Sequence, residues 1–439
     1  MCFRGAYGAG EQSRPQRRRR VAPVKLLERL KQLGPGIVTG AADDDPSGIA
    51  TYSQAGAQFG SGLLWTMTLA YPLMVAVQLA SARVGRVTGH GLANSLGKVM
   101  PRWLVMPLIG LLFVANTINI GADLAAMGDA VALVVGGWEH AYTIGFTILS
   151  LLLQLFLPYH RYVRILKWLT LILFAYIALL FMVKVDWSTA LRGLVLPTIA
   201  GAGALTTIVA IFGTTISPYL FFWQAAQEVE EIDQAPQRKP LRDDGAQAAG
   251  ALQRIRWDTV TGMAVSNVVA LAIMVGTATT LHAAGKTDIQ SAADAAAALR
   301  PVAGDLAFAI FSLGIIGTGL LAVPVLAGSS AYAVCEIGGW SASLEHRPAR
   351  AKAFYLIIGL GMILGLAIDW SPINPMKALF WSAVINGVAA VPVLIGLMIV
   401  VSKRSIMGEF VASWPLRLFG WMATAVMAAA ALAMCVSPS

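Results

Sequence analysis

Charge is what this sequence has least of. Only 13% of its 439 residues are Asp, Glu, Lys or Arg, 57% are hydrophobic, and the mean hydropathy is +0.68. Soluble domains carry about 25% charged residues, so this composition excludes a water-soluble enzyme or a nucleic-acid binder. Cysteine is scarce too: Cys2, Cys335 and Cys435 are too few and too scattered for a disulfide framework or a thiolate metal site. His282 and His346 have no second ligand at i+3 or i+4. No nucleophile–base pair or metal-ligand cluster is visible, which argues against a membrane enzyme. The opening stretch to Arg20 is polar and Arg-rich without an apolar core, and does not read as a cleavable signal peptide.

What the chain does have is apolar length. A helix needs ~20 mostly apolar residues to cross the ~30 Å hydrocarbon core. Eleven segments qualify, near 33–58, 62–82, 103–134, 141–158, 161–184, 197–223, 257–283, 302–334, 352–369, 376–401 and 416–436. The basic cluster His160–Arg164 separates the fourth from the fifth. Forty-three Gly suit close helix packing, and Trp103, Trp168, Trp187 and Trp414 fall at span ends as interface anchors. The expected architecture is an all-α polytopic membrane protein. With the N-terminus cytoplasmic, 27 of the 32 Lys and Arg lie inside, and only Lys184, Arg192, Lys286, Arg300 and Lys377 lie outside. An odd span count then places the C-terminus extracytoplasmically.

Residues 1–24 read as a disordered basic tail, and Leu26, Leu27, Leu30 and Leu33 as an amphipathic helix on the inner surface. Residues 25–439 form a single transmembrane domain. The polar linker 225–256 reads as a cytoplasmic loop dividing two groups of spans, without assignable chemistry.

Ionisable groups inside spans are costly and mark functional sites. The first span contains Asp43, Asp44 and Asp45, followed by Pro46, Ser47 and Gly48. Proline removes a backbone donor and glycine resists helix, so the helix should unwind near Pro46. Such backbone is tolerated at membrane depth only where it lines a cavity or is buried in protein. The bland alternative is an extramembrane turn; an EF-hand fails on spacing. The sixth span is interrupted likewise at Thr214-Thr215-Ile216-Ser217-Pro218-Tyr219. Paired breaks at corresponding positions of two halves point to a transporter site between inverted repeats. Their carbonyls together with Asp45 would make a hard, oxygen-only cation site.

These motifs carry a resemblance. Gly34-Pro35-Gly36, Asp45-Pro46-Ser47-Gly48, Gln54 to Gly60, Ala122-Asp123-Leu124-Ala125 and the Pro218 break resemble the Nramp divalent-metal transporters over nearly the whole chain from about residue 33. The resemblance implies a LeuT-like fold of two inverted five-helix repeats (about 33–184 and 197–401) plus an extra helix near 416–436, with helices 1 and 6 discontinuous. It implies Mn²⁺ or Fe²⁺ carried with protons. The departures are as specific. The family's Asn ligand is Gly48, its Met and proton-linked His are Ser217 and Tyr219, and its third-span Glu is Ala126. This pattern is similar to the Nramp-related magnesium transporter branch. A thioether favours soft transition ions; Mg²⁺ keeps several waters and suits a wider site of carboxylate and carbonyls.

The expected metal site is Asp45, Gly48, Thr214 and Ser217. Thr214 matches the family's carbonyl ligand, while the Ser217 hydroxyl either contacts the ion or bonds back to its own helix. Asp43, Asp44, Tyr219, Asp123 and Asn386 are weaker candidates for the pathway or its surroundings. Asp43 and Asp44 either line the entry or are buried as hydrogen-bonded or protonated groups, and for Asn386 an interhelical hydrogen bond is the preferred reading over a polar contact with the ion path. Asp129 reads as reaching the headgroups and Glu336 as an inner-surface anchor. The expected function is import of Mg²⁺ and Mn²⁺ across a bacterial-type plasma membrane without proton coupling, with no cofactor, nucleic acid or obligate protein partner. The competing readings are a proton-coupled Mn²⁺/Fe²⁺ symporter and, last, a sodium-coupled amino-acid carrier, whose substrate carboxylate Asp45 would repel.

Overall fold

Two prolines that cannot donate to a preceding turn divide two helices, and the rest of the molecule is built around those breaks. The computed structural model describes residues 35–157, 169–199, 201, 203–235 and 237–436. The basic tail, the amphipathic segment at Leu26–Leu33 and the His160–Arg164 cluster lie outside the described residues.

The first crossing consists of α1 (Pro35–Asp43) and α2 (Pro46–Phe59). There follow α3 (Trp65–Thr88), α4 (Leu92–Gly97), α5 (Arg102–Val135), α6 (Glu139–Phe156), α7 (Phe174–Met182) and α8 (Trp187–Val195). The second broken crossing is α9 (Ala204–Thr215) and α10 (Pro218–Asp233). The remainder are α11 (Ala248–Thr277), α12 (Ala307–Gly338), α13 (Lys352–Ile368), α14 (Pro375–Ser402) and α15 (Trp414–Val436). Among the described residues, seven helical segments are long and apolar enough by themselves to span a bilayer. The broken pair α1–α2, the 18-residue α6 and the shorter apolar helices at Leu171–Met182 and Lys352–Ile368 complete the eleven expected from the sequence. Trp103, Trp187 and Trp414 are exposed, as interface anchors should be, whereas Trp223 is wholly buried.

α5 packs against α12, α13 and α14. Asn116 fastens it to α12, donating to the Leu326 carbonyl at 3.0 Å and to Ser329 and Ser330 at 2.9 and 2.8 Å. α9 lies on α14 with almost no space between the backbones. A Cβ on Gly213 would meet the Ala383 carbonyl oxygen at 1.9 Å, and one on Gly387 would meet the Val209 oxygen at 2.6 Å. Small residues permit this approach where lipid supplies no hydrophobic drive between helices.

The structure corrects the reading of 225–256 as a loop. Most of it is helix: α10 continues to Asp233 and α11 begins at Ala248. Glu228 is fully buried and bound by the Arg254 guanidinium at 2.6 Å. Glu230 accepts from the Tyr332 hydroxyl at 2.6 Å, the Ser343 hydroxyl at 2.9 Å and the Leu344 amide at 3.2 Å. These carboxylates are buried because they are paired, which a hydropathy profile cannot register. Glu336, partly buried, accepts from the Asn94 amide at 3.0 Å and so caps α4.

Basic segments of the sequence gather at one end of the bundle. Arg86 donates to the Lys239 carbonyl, Arg242 to the Ile406 carbonyl, and Arg83 to the Phe410 and Val411 carbonyls.

Candidate functional site

Asp45 occupies the break between α1 and α2 as the N-cap of α2, with extended backbone and Pro46 as the first helical residue. Asp favours this position because its carboxylate satisfies amides the new helix leaves open. One oxygen, Oδ1, accepts from the Gly48 amide at 2.8 Å and the Ser47 hydroxyl at 2.6 Å. The other, Oδ2, accepts from Asn119 Nδ2 at 3.0 Å and the Tyr219 hydroxyl at 3.3 Å. Asp45 is 1% exposed, so its charge depends on these four donors.

The second break lies directly opposite. α9 ends at Thr215, Ile216 is non-helical, and Ser217 is the extended N-cap of α10. Gly48 faces it closely: a Cβ there would stand 3.1 Å from Thr214 Oγ1. The Ser217 hydroxyl donates to the Gly213 carbonyl at 2.5 Å and the Thr214 carbonyl at 3.0 Å, so of its two readings the bond back to its own helix is present. Tyr219 reaches across to the first break, its hydroxyl lying 3.3 Å from the Ala42 carbonyl as well as from Asp45.

Asp43 and Asp44 follow their buried alternative. They are 0% and 5% exposed and share Ser266 of α11, which lies 2.6 Å from Asp43 Oδ2 and 3.0 Å from Asp44 Oδ1. Asp43 Oδ1 has no hydrogen-bond partner among the described residues, nor has either carboxylate oxygen of Asp123. Asn386 is equally buried, and both its amide atoms lack partners among the described residues; the interhelical hydrogen bond expected of it is absent.

Asn119 and Ser382 escape the sequence reading. Asn119 Oδ1 accepts from the Ser382 hydroxyl at 2.6 Å while its amide donates to Asp45, so a relay runs from α14 through α5 to the break. Asp123 and Asn386 lie one helical turn further along the same two faces. The available signal was this spacing: Asn119 with Asp123 and Ser382 with Asn386 are i,i+4 polar pairs in otherwise apolar helices. Asn119→Ala strips a donor from Asp45 and an acceptor from Ser382. It is expected to lower stability by about 1–2 kcal/mol, read as a lower unfolding midpoint in detergent; an unchanged midpoint would show the relay to be idle.

Among the described residues no three His, Cys, Asp or Glu side chains form a ready-made metal cage. The arrangement instead offers one donor-satisfied carboxylate, hydroxyls, carbonyls and unpartnered polar atoms between two broken helices. Oxygen chemistry of this kind suits exchangeable binding of a hard cation.

Known proteins share this architecture. The Eremococcus coleocola manganese transporter, solved with an aromatic bis-isothiourea substituted compound, superposes with a TM-score of 0.72 at 17% identity, over 95% of this chain and 91% of its own. MhsT in complex with L-phenylalanine superposes with a TM-score of 0.59 at 12% identity, over 90% and 98%. By sequence, the divalent metal cation transporter MntH of Acidiphilium cryptum is 27% identical over 383 residues, covering 85% of this chain and 83% of that protein. MntH of Chromohalobacter salexigens is 29% identical over 387 residues, covering 86% and 84%. The family model described as "natural resistance-associated macrophage protein-like" matches residues 36–437, and with it the chain belongs to the Nramp family.

Proposed function

We propose that this chain is a secondary transporter importing divalent metal ions, Mg²⁺ and Mn²⁺, across the plasma membrane without carrying protons, as in the magnesium-transporting branch of its family. The observation that carries the reading is the pair of facing breaks, with Asp45 at the first and Ser217 and Tyr219 at the second, where the main family has a thioether and an imidazole. Asp45, Gly48, Thr214 and Ser217 hold the ion; Asp43, Asp44, Asp123, Tyr219 and Asn386 border its path. Without a soft ligand the site has no bias toward transition metals over Mg²⁺. Relatives named for manganese or divalent metal support the cargo class, and the substitutions at Gly48 and Ser217 support its extension to Mg²⁺.

The working unit is a single chain with no resident cofactor. Its two inverted repeats run about 33–184 and 197–401, followed by the extra helix at 416–436. The N-terminus and the basic end of the bundle face the cytoplasm, and the C-terminus faces out.

An inside-negative potential alone is sufficient to drive entry, since it contributes ~2.3 kcal/mol per charge per 100 mV, about 4.6 for a divalent ion. The groups the main family uses for protons are replaced by Tyr219, a phenol that stays protonated at neutral pH, and Ala126. A pH-sensitive dye inside proteoliposomes, under clamped potential, is therefore expected to stay constant while Mg²⁺ or Mn²⁺ enters. Acidification scaling with metal uptake would replace this reading with proton-coupled Mn²⁺/Fe²⁺ symport. One observation favours that competitor: Asp123 is buried without a donor, and Asp123→Asn would then abolish the acidification. An amino-acid carrier shares the fold, but Asp45 stands where a substrate carboxylate would bind.

A further inference from the structure

A groove away from the ion site opens on the outer surface of the bundle, at its basic end. Its volume is about 1010 Å³. α3 forms the floor, packing against both α11 and α15, which form the walls. The floor presents Tyr71, Val75 and Leu79, and the walls present Leu252, Trp257, Leu416 and Phe419. Two arginines line it, Arg83 and Arg256. Arg83 is fixed in place, donating to the Phe410 carbonyl at 2.8 Å and the Val411 carbonyl at 3.3 Å. Arg256 is exposed and makes no hydrogen bond or ion pair among the described residues. Trp257 beside it is 53% exposed, as an interfacial indole would be.

We propose that this groove is a binding site for one anionic phospholipid of the leaflet on the basic side of the bundle. The phosphate is held by Arg256, with Arg83 lining the same groove, and an acyl chain lies along α3. Two features select this occupant. The lining is amphipathic, two guanidinium groups standing among mostly apolar side chains on the outer face of the bundle. The charge is unanswered, because no carboxylate lines the groove and Arg256 has no protein partner. Basic pockets between transmembrane helices recognise anionic headgroups by these means.

The test uses the full chain in nanodiscs of phosphatidylcholine titrated with phosphatidylglycerol, with bound lipid counted by native mass spectrometry. The unmodified protein is expected to retain one phosphatidylglycerol in preference to phosphatidylcholine. Arg256→Ala should weaken that retention about fivefold and Arg256→Glu about 25-fold, the scale of one basic side chain near an anionic surface removed or reversed. Val75→Trp fills the floor while leaving both guanidinium groups in place, and should lose the retained lipid. Arg350→Glu, an exposed arginine remote from the groove, should retain it. Equal retention of both lipids, an equal loss in Arg350→Glu, or full retention in Val75→Trp would overturn the proposal in favour of unspecific surface attraction. Arg83 is left untouched because it also anchors the chain at Phe410 and Val411.

Discussion

Proteoliposomes carrying Asp45→Asn are expected to take up neither Mg²⁺ nor Mn²⁺, while the protein folds and inserts as before. The asparagine oxygen still accepts from the Gly48 amide, so α2 keeps its cap. What disappears is the one formal charge at the junction of the two breaks, and with it the strongest attraction for a cation that must shed water to bind. Asp45→Ala should lose transport as completely but with a larger stability loss than Asp45→Asn, since the N-cap goes and the Gly48 amide, Ser47 and Tyr219 hydroxyls and Asn119 amide lose their acceptor. Comparison of the two separates charge from scaffold. Metal uptake by a correctly folded Asp45→Asn protein at the original rate would remove Asp45 from the site.

The second large effect is on selectivity. The unmodified protein is expected to let Mg²⁺ compete with Mn²⁺ at millimolar or lower concentration, and Ser217→Met with Gly48→Asn to weaken that competition about tenfold or more. Both substitutions act on features visible in the structure. Replacing Ser217 removes the hydroxyl that now donates to the Gly213 and Thr214 carbonyls, and it introduces a thioether. Any side chain at Gly48 comes within 3.1 Å of Thr214 Oγ1, so the Thr214 side chain must give by a few tenths of an ångström and the junction of the two breaks becomes more crowded. Competition between the two ions for uptake provides the measurement. If the unmodified protein already ignores Mg²⁺, the selectivity argument fails and the main-family reading takes its place.

The breaks were legible in the sequence because Pro46 and Pro218 announce themselves chemically, and the crossings because apolar length is counted directly. Side-chain partnerships were not. Spacing marks Asn119 with Asp123 and Ser382 with Asn386, but it does not show that Ser266 meets Asp43 and Asp44, that Asn119 meets Asp45, or that Ser382 acts through Asn119; those contacts run between helices distant in sequence. The misread linker failed in the opposite direction. Glu228 and Glu230 look like loop residues by polarity, yet Arg254, Tyr332 and Ser343 supply what their burial requires. Asp43 and Asp44 had two readings on sequence alone, and the hydroxyl of Ser266 that they share was not foreseen by either. Asn386 was expected to satisfy itself across a helix interface and instead keeps both amide atoms unpartnered beside the relay.

The four donors on Asp45 bear on the half of the cycle that moves no cargo. After releasing its ion a carrier must reset, carrying its emptied binding groups back through a dry interior. A lone carboxylate there would stall the return until something neutralised it, and a proton is the usual remedy; that requirement is one route by which transport becomes proton-coupled. In this chain the Gly48 amide, the hydroxyls of Ser47 and Tyr219 and the Asn119 amide already stand where the departing cation leaves charge behind. On the proposed proton-free cycle these are the groups that would carry the carboxylate's charge through the return, and turnover at low substrate is expected to be indifferent to the acidity of either compartment.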